Sequence, residues 1–216
     1  MAQLSDLGFA KGMIFETILS TYNSDGTPNA APMGITMQNR QKLTFNLFDS
    51  SATSRNLKAN KCGVINITSN IELFYKTAFK EANPNRKLPP EWFEKAQTVN
   101  APKLRLADAI VEVTVAGIES LDDEKNRVFL DVERLDAVRS YPQVYNRAMA
   151  LTLEAIIHAT RVKAFISNPQ EKERVGKLLE MIKNSYEIVN RVAPNSPYST
   201  VMADLIKRID SWRNEQ

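Results

Sequence analysis

The chain has 216 residues, 28 Lys and Arg against 25 Asp and Glu, a net charge of +3 and an apolar fraction of 43%. That composition suits one large folded domain or two small ones, excludes a mainly disordered chain, and lacks the strongly basic face of a non-specific nucleic-acid binder. One cysteine, Cys62, and one histidine, His158, exclude an internal disulfide, a zinc ribbon and any multi-histidine centre, so neither metal nor nucleic acid is expected as a partner.

Residues 13–21 (MIFETILST) read as a strand, and Asn23-Ser24-Asp25-Gly26 follows as a turn in which Gly26 is free to take positive φ. Residues 30–37 and 42–48 (KLTFNLF) alternate around a second turn at 38–41, which makes an antiparallel meander. Residues 50–60 are helix-compatible, and 63–68 (GVINIT) resume a short buried strand. Residues 71–79 fit helix or strand. Residues 80–102 carry four of the ten prolines and read as a long, partly ordered excursion, with the lysines and arginines between 76 and 87 on a solvated face. Residues 106–119, with Ala109, Val111, Val113 and Val115 on one face, pair through the turn 122–125 with 127–134.

Near Ser140 the period changes to helical. Residues 144–165 place Ala148, Leu151, Ala155 and Ile156 on one face. Asn168-Pro169-Gln170-Glu171 supplies a helix start, with an N-cap, a first-turn proline and an acid, and Ser196-Pro197 repeats the device for a final helix at 198–212. Strands without a βαβ rhythm followed by three helices predict an α+β chain, with a small antiparallel barrel or sandwich over 1–140 and a helical subdomain over 141–216. No run approaches the roughly 20 apolar residues of a membrane span. The opening MAQLSDLGFAKG lacks the layout of a signal peptide, so a cytoplasmic protein without a membrane partner is expected. The seven glycines fit neither the dinucleotide fingerprint nor the phosphate loop, so any phosphate must be gripped by other means.

Two segments carry chemistry. Phe48-Asp49-Ser50-Ser51-Ala52-Thr53-Ser54-Arg55-Asn56-Leu57 gathers hydroxyls, an arginine and an asparagine where a strand gives way to a helix, a natural setting for an anion; the same residues equally make an ordinary cap with a solvated arginine. Asp25-Gly26-Thr27-Pro28-Asn29-Ala30-Ala31-Pro32-Met33-Gly34 is poor in sheet formers. It reads either as an edge strand guarded by proline or as a slim surface on which a flat ring lies while main-chain groups read its polar edge. Trp92 and Phe93 either cover such a ligand or anchor the excursion. Cys62, beside Lys61, reads as a structural thiol, and His158 as a core residue or an acid–base group. Arg147 and Arg161, fourteen residues apart and nearly on one helix face, form with His158 a candidate basic substrate-side surface; ion pairing is the alternative.

The run T-x-x-S-D-G-T-P-N-A-A-P-M-G, then F-D-S-S-A-T-S-R-N-L, then V-I-N-I-T resembles the flavin reductase-like FMN-binding split barrels. It is most similar to the domain-of-unknown-function 447 family, whose helical part the stretch Tyr145-Asn146-Arg147-Ala148 through Arg161 also resembles. The resemblance implies an antiparallel FMN-binding split β-barrel with a C-terminal helical subdomain, and a homodimer with non-covalent FMN near the subunit interface. It places Ser51, Thr53, Arg55 and Asn56 at the phosphate and ribityl chain and Ala31, Pro32, Met33 and Gly34 along the isoalloxazine. It further implies Asn66 and Thr68 as ribityl or ring contacts. The activity implied is that of a flavin-dependent oxidoreductase of flavin reductase type, with NADH or NADPH as candidate donor. The alternatives are a non-catalytic flavin- or partner-binding protein and a flavoenzyme of one-carbon or pterin metabolism.

Overall fold

In the computed structural model of the protein, which describes residues 3–11, 14–137 and 147–214, the chain forms two compact units. One comprises residues 1–68 and 79–141, the other 69–78 and 142–216. The expected boundary between 140 and 141, the start of the helix expected from 144, and Met13, Tyr145 and Asn146 of the sequence reading lie outside the described residues. The fold is α+β, an antiparallel split β-barrel with a C-terminal helical part.

The strands are β1 (Ile14–Tyr22), β2 (Pro28–Asn39), β3 (Lys42–Phe48), β4 (Cys62–Ile67), β5 (Phe93–Lys95), β6 (Pro102–Leu104), β7 (Ala109–Ser120) and β8 (Lys125–Ala137). The helices are α1 (Ala52–Asn60), α2 (Ile71–Ala78), α3 (Arg147–Phe165), α4 (Lys172–Val192) and α5 (Pro197–Asn214). Six strands close a barrel in the order β1-β2-β3-β8-β7-β4, and β5 and β6 form a separate hairpin.

Alternation builds the barrel core. Leu19, Ile35, Leu43, Ile65, Val111 and Leu130 point inward and lose all contact with water, each burial contributing about 1.5–3 kcal/mol before entropy is counted. Leu57 of α1 joins them, so the helix between β3 and β4 plugs one end of the barrel. Ser51 begins α1 by accepting the Ser54 amide on its hydroxyl at 3.1 Å, and Lys61 ends it at φ 56°.

The barrel is split on one side. β2 pairs with β1 from Tyr22↔Pro28 to Ile14↔Thr36, but with β3 only at Thr36↔Thr44, Met37↔Leu43 and Asn39↔Lys42. Residues 28–35 of β2 therefore have a strand neighbour on one side only, while β3 continues alongside β8.

The excursion is more ordered than its prolines predict, because the barrel holds it at several buried points. The carboxylate of Glu112, fully buried on β7, accepts the amides of Gln97, Thr98 and Val99 at 2.9, 2.6 and 3.0 Å. Ser20 donates to the Pro102 carbonyl at 2.6 Å, and Asn66 accepts the Leu104 amide at 2.8 Å. Phe93 is buried at the start of β5, which serves as an anchor.

In the second unit, residues 71–78 resolve as a helix that belongs with the three C-terminal helices. The buried Tyr75 donates its hydroxyl to Asp204, and Arg208 Nε reaches both that hydroxyl (2.6 Å) and the carboxylate (3.0 Å), which fastens α2 to α5. The helix starts follow their signals: Asn168 accepts the Gln170 amide at 3.0 Å ahead of α4, and Ser196 accepts the Ser199 amide at 3.3 Å in α5. Among the described residues no helix is long and apolar enough to cross a membrane.

Candidate functional site

The turn from β3 into α1 is organised around Asp49. Its carboxylate accepts from Lys58, from the Ser54 hydroxyl at 3.0 Å and from the Asn126 amide at 2.6 Å. The Lys58 ammonium and then the Ser54 hydroxyl hold the Asp49 carboxyl below the usual carboxylate range. A neutralised aspartate thus fixes the loop shape. The amides of Ala52 and Thr53 precede the first helical bond, from Arg55 N to the Ser51 carbonyl, and face out of the helix start. Ser50 and Arg55 are exposed, with Arg55 Nη1 donating to the Ser50 carbonyl at 2.6 Å.

Thr53 and Asn56, two of the expected ligand contacts, are buried and tie α1 to the β1–β2 hairpin. Asn29 Nδ2 donates to the hydroxyls of Thr53 and Thr21, both at 3.3 Å, and Asn56 Nδ2 donates to Thr21 Oγ1 at 3.0 Å and Asn23 Oδ1 at 2.9 Å. What the turn offers outward is Ser50, Ser51, Arg55 and the first-turn amides.

The small-residue strand presents two faces rather than one. Alternation turns Ala31 and Met33 inward and Pro32 and Gly34 outward, so the four side chains do not share a surface. Proline has no N–H, so the ladder to β1 runs through the alternate residues, and Pro28, Ala30, Pro32 and Gly34 turn their remaining main-chain groups toward the side that lacks a strand. Continued past Thr36↔Thr44, the register would bring Gly34 opposite Asn46 and Pro32 opposite Phe48, and the split opens there.

Outside the split lies a groove of about 460 Å³ whose walls include Ile14, Glu16, Gly34, Thr44, Asn46 and Arg127. A Cβ on Gly34 would come within 2.9 Å of Ile14 Cγ2 and 3.4 Å of Glu16 Oε1, so glycine keeps the groove floor low. Arg127 Nε donates to Asn46 Oδ1 at 3.2 Å on the opposite wall.

Other expected site residues have different places. Asn66 uses its whole amide inside the fold, donating to the Ile18 carbonyl (2.9 Å) and the Ser20 hydroxyl (2.8 Å) and accepting from Leu104. Its hydrogens serve the barrel rather than a ligand. Thr68 is buried at the end of the first of the two segments that make up the first unit. In the second unit Arg147 and Arg161 are exposed on α3, whereas His158 is only 4% exposed, so the three do not make one basic surface. Burial lowers the His158 pKa, an effect that the Glu154 carboxylate 3.4 Å from Nε2 opposes and Arg161 reinforces. Burial raises the Cys62 thiol pKa, as suits a structural cysteine.

Lys80 is the residue that sequence reasoning missed. The charged run from 76 to 87 reads as a solvated face, yet Lys80 is half-buried and donates to Asn29 Oδ1. Burial lowers its pKa, and among the described residues no carboxylate pairs with it. No local pattern marks this lysine, because its surroundings come from a strand some fifty residues earlier.

Comparison with known proteins supports this architecture. The FMN-bound protein MM1853 from Methanosarcina mazei is 26% identical, with a TM-score of 0.77 over 95% of this chain and 99% of that one. A split-barrel protein from Shewanella frigidimarina NCIMB 400, assigned as a flavin reductase, is 13% identical, with a TM-score of 0.51 over 63% of this chain and 75% of that one. Among curated proteins none matches. Residues 15–139 match the family model described as the N-terminal domain of a protein of unknown function, DUF447, and this chain belongs to that family.

Proposed function

We propose that the protein binds FMN non-covalently in the split of its barrel and acts as a flavin-dependent oxidoreductase of flavin reductase type. The observation that carries this reading is the pairing of an unpartnered, side-chain-poor edge on β2 with the anion-ready start of α1, joined through Asn29 and Thr53. The parts fit the ligand. The first-turn amides, Ser50, Ser51 and Arg55 suit a phosphate monoester, whose charge of about −1.5 to −2 needs donors and cations. Gly34 lies five residues, about 17 Å of extended chain, from Asn29, a span suited to the ribityl chain and ring. The main-chain groups of Pro32 and Gly34 offer acceptors and one donor to the polar edge of an isoalloxazine, with Gly34 leaving room for the ring. The FMN-bound relative of nearly equal length supports the same cofactor here.

Bound flavin supplies hydride and electron transfer; this chain's residues bind it, orient it and exclude water. We further propose a homodimer in the cytoplasm. Ile14 (70% exposed) and Phe48 (52% exposed) are outward-facing apolar residues on β1 and β3, near the groove and the split, which a second copy would cover.

The deciding experiment is an absorbance spectrum of the purified protein, then anaerobic mixing with NADH and with NADPH. A flavin spectrum that bleaches with either nucleotide supports the reductase. A flavin spectrum that neither nucleotide bleaches marks a flavin carrier or an enzyme with another donor, and a colourless protein whose melting temperature ignores added FMN overturns the reading.

A further inference from the structure

Among the described residues Lys80 is a cation without a counter-ion. It lies in the first turn of the excursion, the residue is half-buried, and the hydrogen-bond partner of its ammonium is the neutral amide oxygen of Asn29. Desolvating a charge without pairing it is unfavourable, so a site that keeps one in place is poised for an anion. Asn29 in turn donates to Thr53 in the first turn of α1, so the lysine approaches the β3–α1 turn from the hairpin side, while Arg55 lies on its exposed side. Two cations of different origin, one from the excursion and one from the barrel motif, thereby bracket one helix start.

We infer that Lys80 is the specificity-determining contact for the phosphate monoester of the flavin, so that the excursion decides between FMN and its dephosphorylated form, riboflavin. This rests on the FMN reading above and assigns a role to a segment outside the barrel motifs. Lys80 follows the fully buried Phe79, its carbonyl accepts the Asn83 side-chain amide at 3.0 Å and its ammonium is hydrogen-bonded to Asn29, so the ammonium is held in place before the ligand arrives, which limits the ordering cost of binding.

The test compares FMN and riboflavin titrations of the wild-type chain, Lys80→Gln and Lys80→Arg, each followed by flavin fluorescence and by the melting temperature of the flavin-free protein. A charge-assisted hydrogen bond to phosphate sets the scale, so Lys80→Gln should weaken FMN binding roughly tenfold or more and leave riboflavin binding unchanged within about twofold. Lys80→Arg should restore much of the FMN preference. The flavin-free melting temperature of Lys80→Gln should equal or exceed that of wild type, since a half-buried charge has been removed, whereas a merely structural lysine would lower it. Equal losses for both flavins, or no loss for FMN, overturn the inference while leaving the FMN reading intact. A wild-type protein that binds neither flavin overturns both.

Discussion

Asn29 and Thr53 are hydrogen-bonded at 3.3 Å across 24 residues of sequence, and this contact joins the two halves of the candidate site. Asn29 belongs to the strand whose edge lacks a neighbour, and Thr53 to the first turn of the helix that plugs the barrel. Both side chains are buried, so the spacing between the slim strand and the anion turn is fixed by the fold.

Arg55→Ala should weaken FMN binding roughly tenfold, the scale of one charge-assisted hydrogen bond. Its side chain is exposed, and the one bond it makes to the Ser50 carbonyl is local, so stability should change by less than about 0.5 kcal/mol. Parallel fluorescence titration and thermal melting check both halves. Equal FMN affinity in variant and parent would move the phosphate elsewhere.

Gly34→Val should spare the barrel and spoil the ring site. The new Cβ would come within 2.9 Å of the γ-methyl Cγ2 of Ile14, which is relieved by a χ1 rotation of that largely exposed side chain, so the folding cost should be about 1–2 kcal/mol. The branched side chain would stand on the groove floor, and both FMN and riboflavin should bind at least about tenfold more weakly, an aromatic contact of about 0.5–1.5 kcal/mol being lost together with ring burial. Isothermal titration with the two flavins reads this, and undiminished riboflavin binding would place the ring away from β2.

Glu112→Gln should destabilise the first unit. The carboxylate, fully buried, presents two acceptor oxygens to three main-chain amides; glutamine keeps one and turns an NH₂ group toward the others. The loss should be about 2–3 kcal/mol, seen as a lower urea midpoint. Amide exchange should rise first around residues 97–99, whose donors would be left unpaired.

Protonation of His158 should weaken the helical unit. Both ring nitrogens are buried without a hydrogen-bond partner among the described residues, and burial holds the folded pKa below the ordinary value of 6.5. A histidine with a depressed folded pKa contributes stability above its unfolded value, and that contribution fades as pH falls from 6.5 toward the folded pKa. The melting temperature should therefore drop between about pH 7.5 and 5.5, and His158→Leu should flatten that dependence. An unchanged slope in the variant would assign the acid sensitivity to other groups.

Much of this protein was determined by the sequence alone, because the signals are local. Strand alternation, the Asn23–Gly26 turn, the Ser51 cap, the starts at Asn168 and Ser196 and the resemblance carried by the two motif segments depend on neighbours within a few residues, and they led to the α+β barrel with its helices. Tertiary structure decided whatever depends on partners far apart in the chain. Closure of the barrel determined where β2 loses its second neighbour, and therefore which of Ala31, Pro32, Met33 and Gly34 face outward. The same closure consumed Asn66, Thr53 and Asn56 in internal hydrogen bonds, because a buried amide or hydroxyl must find a partner where packing places it. Glu112 on β7, with Ser20 and Asn66, ordered the proline-rich excursion, and α2, ambiguous by pattern, became a helix packed with the C-terminal three through Tyr75 and Asp204. Lys80 is the clearest case. Its sequence neighbours are those of a surface lysine, and only the folded chain half-buries it and places it beside Asn29 with, among the described residues, no carboxylate to balance its charge.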